Sequence, residues 1–351
     1  MARKQTEVKD TKRRQSVRNV AAAPVAPDPS LAPFIEALSR ACAICERGAA
    51  LTMFAHLAFQ HGRFQAHDGV VQMQARSIFP VESAFSLSEL KLAQALSLIA
   101  PADAIIETPE MVRLVRGPLS VRIRKLPSDL SFFDPFKMSR AASPAGDLLA
   151  VIKRVAPFMS EDATRPWSTS VLLADGYAWA TNNLALVRAP MPAIFKAPLS
   201  IPLPAVKLLC ALDTLERIEQ PEPGRIIVAS GKLLFRFSTG AAGWPDLAKL
   251  FAKMPKRMPP LPPEMKDATA SAARLSSRFV SVAANKVESK SESIDSTYEV
   301  ALAKGTGLFS ARILALIAEV ATHAEFSFFP EPIFFRGEGI EGTAVGARET
   351  T

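Results

Sequence analysis

The chain has few of the residues that build metal-stabilised or cross-linked scaffolds: its 351 residues include three cysteines and four histidines. An odd number of cysteines does not form a disulfide framework. Cys42 and Cys45 make a CxxC pair, but it falls in a helical pattern without a second pair or neighbouring histidines, which favours apolar helix residues over zinc or redox chemistry. The histidines show no metal-ligand spacing, so we expect neither a metal site nor a cofactor.

Long apolar runs are also missing. No uninterrupted stretch approaches the roughly 18 apolar residues that cross a bilayer. The first residues carry charges and lack the apolar segment of a signal peptide. We therefore expect a cytoplasmic protein without a membrane anchor.

Catalytic motifs are equally scarce. The sequence contains no GxxxxGK[ST] phosphate loop and no GxSxG nucleophile motif. His67 and Asp68 could suggest a general base, but an Asp-Gly turn between two strands explains them more simply. Asp68, Asp175 and Asp246 stand far apart in the sequence, so they do not form the acidic cluster of a nuclease or nucleotidyl transferase. We expect no enzymatic activity.

What the chain does contain is 48% apolar and 22% charged residues, a composition typical of soluble globular proteins. Residues 1–30 differ, because they are basic and then Ala/Pro-rich with few large apolar side chains, which predicts a disordered tail. The tail carries half of the formal net charge of +8. It could help to hold nucleic acid electrostatically or be a solvated extension.

The rest of the sequence repeats itself. FSLSELKLAQAL, from Phe85, returns as IPLPAVKLLCAL 116 residues later, and more faintly as GLFSARILALIAEV after another 106 residues. The same order of helix, strand, turn and strand surrounds the copies. The pattern predicts an α+β fold of three tandem units, each with two helices packed on antiparallel sheet, at residues 31–138, 139–257 and a shortened 258–351.

Basic residues recur on the predicted helices of all three units. If these helices face the same way, their cations line one surface and can meet a phosphate backbone without reading bases. The alternative is an ordinary solvated helix face, and only the threefold recurrence favours the DNA interpretation. The cations are Arg40, Arg47, Lys91, Lys153, Arg154, Lys207, Lys266, Arg274 and Arg312.

Further segments follow one another in the order known from one protein family. They are FQAHDGVVQMQAR, FSLSELKLAQAL, RPWSTSVLLADGYAWATNN, GWPDLAKLF and GTAVGAR. Together they resemble the bacterial-type DNA sliding clamp, the beta subunit of DNA polymerase III. The resemblance implies a crescent of three clamp domains that pairs head to tail with a second copy into a ring around duplex DNA. It also implies a non-catalytic processivity factor, and we expect a divergent, phage-encoded one.

The resemblance implies two sets of functional residues. Family positions that contact DNA are matched by Arg47, Arg165 and Trp167, beside the helix cations Lys91, Lys153, Arg154, Lys207 and Arg274. Trp167 has a second interpretation as a core anchor. The family's hydrophobic pocket, which receives short peptide motifs from the polymerase and the clamp loader, is matched by Thr181, Leu186, Pro245, Leu250, Thr343 and Val345.

The chain departs from the family around this pocket. Asn182 and Asn183 replace an Asp-Gly pair, and the chain has Val345-Gly346-Ala347-Arg348 where relatives have a Met-Pro-Met-Arg ending. We therefore expect an altered pocket shape and a different partner peptide.

An alternative function is a phage single-stranded-DNA-binding or recombination-accessory protein that uses the basic tail and Trp167. Such a protein should bind linear single strands directly and in a salt-sensitive way, whereas a clamp should hold circular duplex only after loading.

Overall fold

A computed structural model of the chain describes residues 31–45, 52–126, 133–192, 194–195, 197–240, 243–275, 278–283, 285–290, 295–302, 306–327 and 329–347. The predicted tail, residues 1–30, and the predicted DNA contact Arg47 lie outside these residues. None of the helices in the described part is long and apolar enough to span a membrane.

The first part of the described chain, residues 31–126, holds two helices and seven strands. The helices are α1 (Leu31–Ile44) and α2 (Glu89–Ile99). The strands are β1 (His56–Gln60), β2 (Arg63–His67), β3 (Val71–Arg76), β4 (Phe85–Ser88), β5 (Ala104–Glu107), β6 (Met111–Arg116) and β7 (Leu119–Arg124).

The second part repeats this order over residues 143–251. Its helices are α3 (Leu148–Val155), α4 (Leu203–Cys210) and the short α5 (Ala248–Phe251). Its strands are β8 (Ser143–Pro144), β9 (Ser170–Ala174), β10 (Tyr177–Thr181), β11 (Ala185–Pro190), β12 (Leu199–Pro202), β13 (Arg217–Glu222), β14 (Arg225–Ser230) and β15 (Leu233–Ser238).

The third part follows over residues 264–344. Its helices are α6 (Glu264–Arg274) and α7 (Ala311–Val320). Its strands are β16 (Phe279–Ala283), β17 (Lys286–Lys290), β18 (Asp295–Glu299), β19 (Gly307–Ser310), β20 (His323–Glu325), β21 (Ile333–Gly337) and β22 (Ile340–Ala344).

Two large sheets cross from one part of the chain to the next. Eight strands form the order β4-β1-β2-β3-β15-β14-β13-β8, and seven form the order β12-β9-β10-β11-β22-β21-β20. Two smaller sheets stay within one part: β5-β6-β7 in the first and β18-β17-β16-β19 in the third. The first and second parts are therefore joined by pairing of β3 with β15, and the second and third by pairing of β11 with β22.

Both junctions use the same register. Gln72 faces Arg236 at the first junction, and Leu186 faces Thr343 at the second. Gln72 and Leu186 are equivalent, because each pairs on its other side with the last residue of the preceding strand. Arg236 and Thr343 are equivalent, because each is the fourth residue of its strand. The junctions are thus two copies of one arrangement.

The spacing of the repeat differs from the sequence prediction. The second long helix of each part starts at Glu89, Leu203 and Ala311, which gives offsets of 114 and 108 residues instead of 116 and 106. The alignment of similar residues was two positions off at α4, because α4 already begins at Leu203. A proline lies in its first turn, a position that proline favours. Lys91 therefore corresponds to the buried Ala205 and not to Lys207.

Helices pack in pairs, α1 against α2, α3 against α4, and α6 against α7. Each helix buries its apolar stripe, and the buried residues of the three parts form one connected cluster because the sheets continue across the junctions. Cys42 and Cys45 belong to this cluster, and burial raises the pKa of the Cys45 thiol. The division into units at residues 138 and 257 stays a prediction.

A row of hydrogen-bonded polar side chains covers the outer face of the first junction. The Gln65 amide donates to Gln74, the Gln72 amide donates to Gln65, and Arg236 donates to Gln72. Gln74 also donates to the backbone oxygen of Phe136, at 2.9 Å. These bonds hold the segment that leaves the first part of the chain against the sheet, and they satisfy amides that would be costly to bury unpaired.

The second junction leaves no room for a side chain at Gly342. A β-carbon there would lie 2.3 Å from a ring carbon of Phe335 and 2.9 Å from the Leu186 carbonyl oxygen. We expect Gly342→Ala to lower the free energy of unfolding by about 2 kcal/mol through overpacking. Gly243→Ala is the matched control, because nothing lies within 4 Å of its added carbon. Urea denaturation of both variants measures the difference, and equal stability would contradict the tight approach at this junction.

Candidate functional site

A cavity of about 720 Å³ opens where the second and third parts of the chain meet. Its walls come from the hairpin of β10 and β11, the end of β22, the segment around α5, and the turn that holds Trp167. All six residues that the sequence predicts for the peptide pocket line this cavity: Thr181, Leu186, Pro245, Leu250, Thr343 and Val345. The junction between β11 and β22 brings them together from three distant stretches of sequence.

The β10–β11 turn shapes one wall through the Thr-Asn-Asn sequence. The Thr181 hydroxyl donates to the Ala185 carbonyl at 2.7 Å, and the Asn182 side chain accepts from the backbone nitrogens of Leu184 and Ala185. Asn183 adopts a positive φ of 71°, a conformation that asparagine tolerates better than most residues. The tight turn holds Leu184 exposed at the cavity wall.

The C-terminal strand forms the opposite wall. The Thr343 hydroxyl donates to the Ile333 carbonyl at 2.9 Å, which fixes the end of β22 against β21. The chain then continues past β22, and the Val345 nitrogen donates to the Leu184 carbonyl at 2.8 Å. Leu184 and Val345 are both exposed apolar side chains, so the bond between their backbones joins two apolar walls of the cavity.

The segment around α5 is held by a second apolar cluster. Leu172, Trp179 and Leu186 of the sheet bury Leu247 and Phe251 against its outer face. The rings of Trp179 and Phe251 meet edge to face with centroids 5.3 Å apart, a favourable aromatic geometry. This contact anchors α5, and α5 in turn presents Leu250 to the cavity.

Arg188 joins the sheet, the α5 segment and the third part of the chain. Its guanidinium lies 4.4 Å from the Tyr177 ring centroid and 4.3 Å from that of Phe251. It also donates to Glu341 of β22 at 2.7 Å, and both side chains are only about one-fifth exposed. Aromatic faces and a carboxylate thus surround one cation that bridges the strands behind the cavity.

Arg165 and Trp167, which the sequence predicts as DNA contacts, line the same cavity. Trp167 is partly exposed and meets Trp244 edge to face at 5.5 Å between centroids. The indole is half-buried in a cavity wall, which differs from a fully buried core anchor, and its contact with DNA stays a prediction. The indole nitrogen of Trp244 is buried and lacks a hydrogen bond, which is true of few other polar side-chain atoms in the described residues.

Sequence reasoning missed several residues of the cavity wall. Lys249 lies within the recognised GWPDLAKLF segment and Lys253 follows it, and their spacing of four is the signal that could have placed them on one side of a helical turn. Phe334 alternates with core residues in β21, so its exposure to the cavity required the neighbouring strand to be known. Glu331 and Pro332 gave no signal of their own.

The predicted helix cations are distributed over helix surfaces of all three parts, and many bind within the protein. Lys153 donates to the Leu212 carbonyl at 2.6 Å, and Arg154 donates to the Gly339 carbonyl at 3.3 Å. Lys207 pairs with Glu161 at 3.0 Å. The hydrogen bond from Lys207 holds the pKa of the Glu161 carboxyl below its ordinary value.

Other helix cations differ in their partners. Arg40 bridges Glu36 and Asp213, and Lys266 pairs with Glu319. Lys91 and Arg274 are exposed. A cavity of about 350 Å³ between α1 and α4, which Arg40 and Lys207 both line, places the helix surfaces of the first and second parts side by side.

Among the described residues, no group of three or more His, Cys, Asp or Glu side chains is arranged to hold a metal ion.

The chain matches no protein-family model and no curated protein sequence. Its structure is similar to solved DNA polymerase III beta subunits. The beta clamp of Helicobacter pylori bound to a DNA ligase peptide is 14% identical, with a TM-score of 0.70 over 90% of this chain and 98% of that one. The beta subunit of Streptococcus pyogenes is 15% identical, with a TM-score of 0.71 and the same coverage.

The DnaN sliding clamp of Bartonella birtlesii bound to griselimycin is 16% identical, with a TM-score of 0.74 over 90% of this chain and 97% of that one. Identities this low establish the fold alone. The chain therefore has the α+β sliding-clamp fold, and the predicted fold class is confirmed.

The bridge between Arg188 and Glu341 makes a testable contribution to this site. We expect Arg188→Met to lower the free energy of unfolding by about 2 kcal/mol, because Glu341 loses its closest cation in a mostly buried position. In the double variant with Glu341→Gln the two losses should overlap and not add.

Lys266→Met is the matched control, because its partner Glu319 and Lys266 itself are both more than half exposed. It should change stability by less than about 0.5 kcal/mol. Urea denaturation measures the unaltered protein, the two single variants at Arg188 and Glu341, the double variant and the control. Additive losses for Arg188 and Glu341 would show that the two side chains do not act as a pair.

Proposed function

We propose that the protein is a DNA sliding clamp: two copies close into a ring around duplex DNA, and the cavity tethers a polymerase through a short peptide. The clamp catalyses no reaction. The observation that carries the proposal is a pair of sheet edges, β7 in the first part of the chain and β18 in the third, that pair with no further strand among the described residues. The fold likeness to beta clamps favours this function over a single-strand-binding protein.

The two unused edges are equivalent to the strands that already pair at the internal junctions. β7 occupies the place of β15 and β22, and β18 occupies the place of β3 and β11. Open strand edges present unpaired backbone groups that readily take up another strand. A second copy placed head to tail would satisfy both edges twice and close a symmetric ring.

The internal junctions also supply the register of this third junction. Asp295 is the equivalent of Gln72 and Leu186, because it pairs with the last residue of the preceding strand. Arg122 is the equivalent of Arg236 and Thr343, because it is the fourth residue of β7. The shared register therefore sets Asp295 of one copy opposite Arg122 of the other, a pair of opposite charges.

Local charge supports the same pairing. Arg113 and Arg122 face each other directly across β6 and β7, an arrangement that repels unless a carboxylate joins it. Asp295 is exposed and would supply that carboxylate. The same register sets Tyr298 opposite Leu119, and both are exposed large apolar side chains.

Apolar exposure beside β7 supports a covered surface. α2 packs against β7 and exposes Leu90 and Leu98, which are 53% and 63% accessible. At the first internal junction the equivalent helix, α4, faces α1 across the 350 Å³ cavity, which Leu208 lines. The third junction would cover α2 with α6 of the second copy in the same way.

Contact with DNA would come from the helix layer. Lys91, Lys153, Arg154, Lys207 and Arg274 lie on helices of all three parts, and Arg165 with Trp167 lies at the cavity. Several of these cations are already paired within the protein, so the field they present to phosphates is modest. A closed ring stays on DNA through topology, so weak and sequence-independent contacts suit sliding. Arg47 and a phage origin stay predictions.

The ring proposal is tested by the mass of the assembly and by charge exchange. Sedimentation should show a species of twice the 37.9 kDa chain mass. Arg122→Asp and Asp295→Arg alone should each weaken the dimer about tenfold or more through like-charge contacts, and the two together should restore it.

Arg225→Asp, on the eight-stranded sheet, is the control for altered net charge. A strict monomer at all concentrations, with or without DNA, would refute the ring. Dimers that ignore both single exchanges would refute the register.

The tether is tested by placing a charge in the cavity. Leu250→Asp or Val345→Asp should abolish stimulation of a polymerase that the unaltered protein stimulates, because a carboxylate in the groove opposes apolar anchoring. Both side chains are exposed, so the fold should survive. Val81→Asp, at a still more exposed apolar position that does not line the cavity, is the control. Unchanged stimulation would remove the site assignment.

A further inference from the structure

Cations crowd the rim of the 720 Å³ cavity. Arg165, Lys249 and Lys253 line it and are exposed, whereas Glu331 is the one carboxylate among its described lining residues. Lys249 has a partner, Asp246 at 3.1 Å, but both side chains are more than half exposed, so the pair screens little of the charge. The rim therefore presents a net positive charge to whatever enters.

The positive charge continues along the chain beyond the rim. Lys256 and Arg257 follow Lys253 within four residues, and both are exposed. With Lys249 and Lys253 they make the segment from α5 to residue 257 basic, although Lys256 and Arg257 do not line the cavity themselves. A border of one sign beside an apolar groove attracts ligands of the opposite sign and speeds their association.

The floor of the cavity is apolar. Leu186, Leu247 and Phe334 lie in it, and the exposed side chains of Leu250 and Val345 flank its opening. Apolar side chains of a ligand would be desolvated there, while charged groups of the same ligand would remain at the rim. The two chemistries lie within one opening, so one short ligand can meet both.

Resting on the clamp function proposed above, we propose that this cavity selects acidic partner peptides, in which Asp or Glu residues directly flank the apolar anchors. The anchors enter the floor, and the flanking carboxylates meet Arg165, Lys249 and Lys253. Partners whose anchors are flanked by basic or neutral residues are disfavoured. The selectivity belongs to this chain's rim and adds to the apolar recognition.

Single-stranded nucleic acid is also an anion, but the cavity fits it less well. One partly exposed indole, Trp167, offers a stacking face on the lining, whereas nonspecific single-strand sites present successive aromatic platforms. The apolar side chains of the floor do not bind a charged sugar-phosphate backbone favourably. The basic residues 1–30 of the chain itself carry the same sign as the rim and are repelled by it.

The test compares two fluorescein-labelled probes that share their anchors, Glu-Glu-Leu-Leu-Phe-Glu and Gln-Gln-Leu-Leu-Phe-Gln. Fluorescence anisotropy with the full-length protein at physiological salt should show the acidic probe binding about tenfold more tightly, because each exposed charge contact contributes little alone and three act together. The advantage should shrink at about 0.5 M salt, where screening is stronger.

Variants identify the cations responsible. Lys253→Glu and Arg165→Glu should each remove most of the advantage of the acidic probe, so that the ratio of the two probes' affinities falls towards one. Lys232→Glu, an exposed lysine on the turn between β14 and β15, should leave the advantage intact. Leu250→Asp should abolish binding of both probes, because it alters the groove that they share.

The outcomes separate this inference from the clamp function. Equal binding of the two probes, with loss of both in Leu250→Asp, would overturn the acidic selectivity and leave the peptide pocket standing. Binding of the acidic probe that survives Leu250→Asp would overturn the pocket as well. If a twelve-nucleotide oligo-dT displaced the acidic probe with an affinity equal to that of the probe itself, the anion that the cavity binds would be nucleic acid. That result would overturn the inference. None of these results bears on ring closure, which is measured by sedimentation.

Discussion

Backbone pairing between β3 and β15, and between β11 and β22, is the interaction on which the rest of the structure depends. Each junction continues an antiparallel ladder from one part of the chain into the next, in one shared register. The cavity exists only because β11 meets β22 in that register, which brings Leu186 beside Thr343. A shift of one residue would turn every side chain on these strands to the opposite face.

The two internal junctions share one backbone register, but different side chains pack over them. Glutamine amides and Arg236 close the first, whereas aromatic rings around Arg188 close the second. The third part of the chain has exposed polar strands instead, with Asp295 at its free edge. In β17 the buried Val287 stands between the polar residues Lys286 and Glu288, and β18 exposes most of its residues.

Much of the architecture could be predicted from the amino-acid sequence. The repeated helix-forming segment located three equivalent helices, and ordered likeness to a known family located all six residues of the cavity wall that were named. The alignment of letters failed by two residues at α4, because Lys91 and Lys207 look equivalent and are not. Similar residues at nearby positions do not define how two helices align, because one helix can begin two residues earlier than the other.

The sequence by itself determined the local periods: apolar stripes that make helices, alternation that makes strands, and the Thr-Asn-Asn turn that places Leu184. These follow from steric and hydrogen-bonding preferences of neighbouring residues. Only the tertiary structure decided that Trp167 and Lys253 share one cavity, and that β7 and β18 stand at sheet edges in the described part of the chain. The reason is physical: strand pairing joins residues more than one hundred positions apart, and no local preference specifies which edges meet.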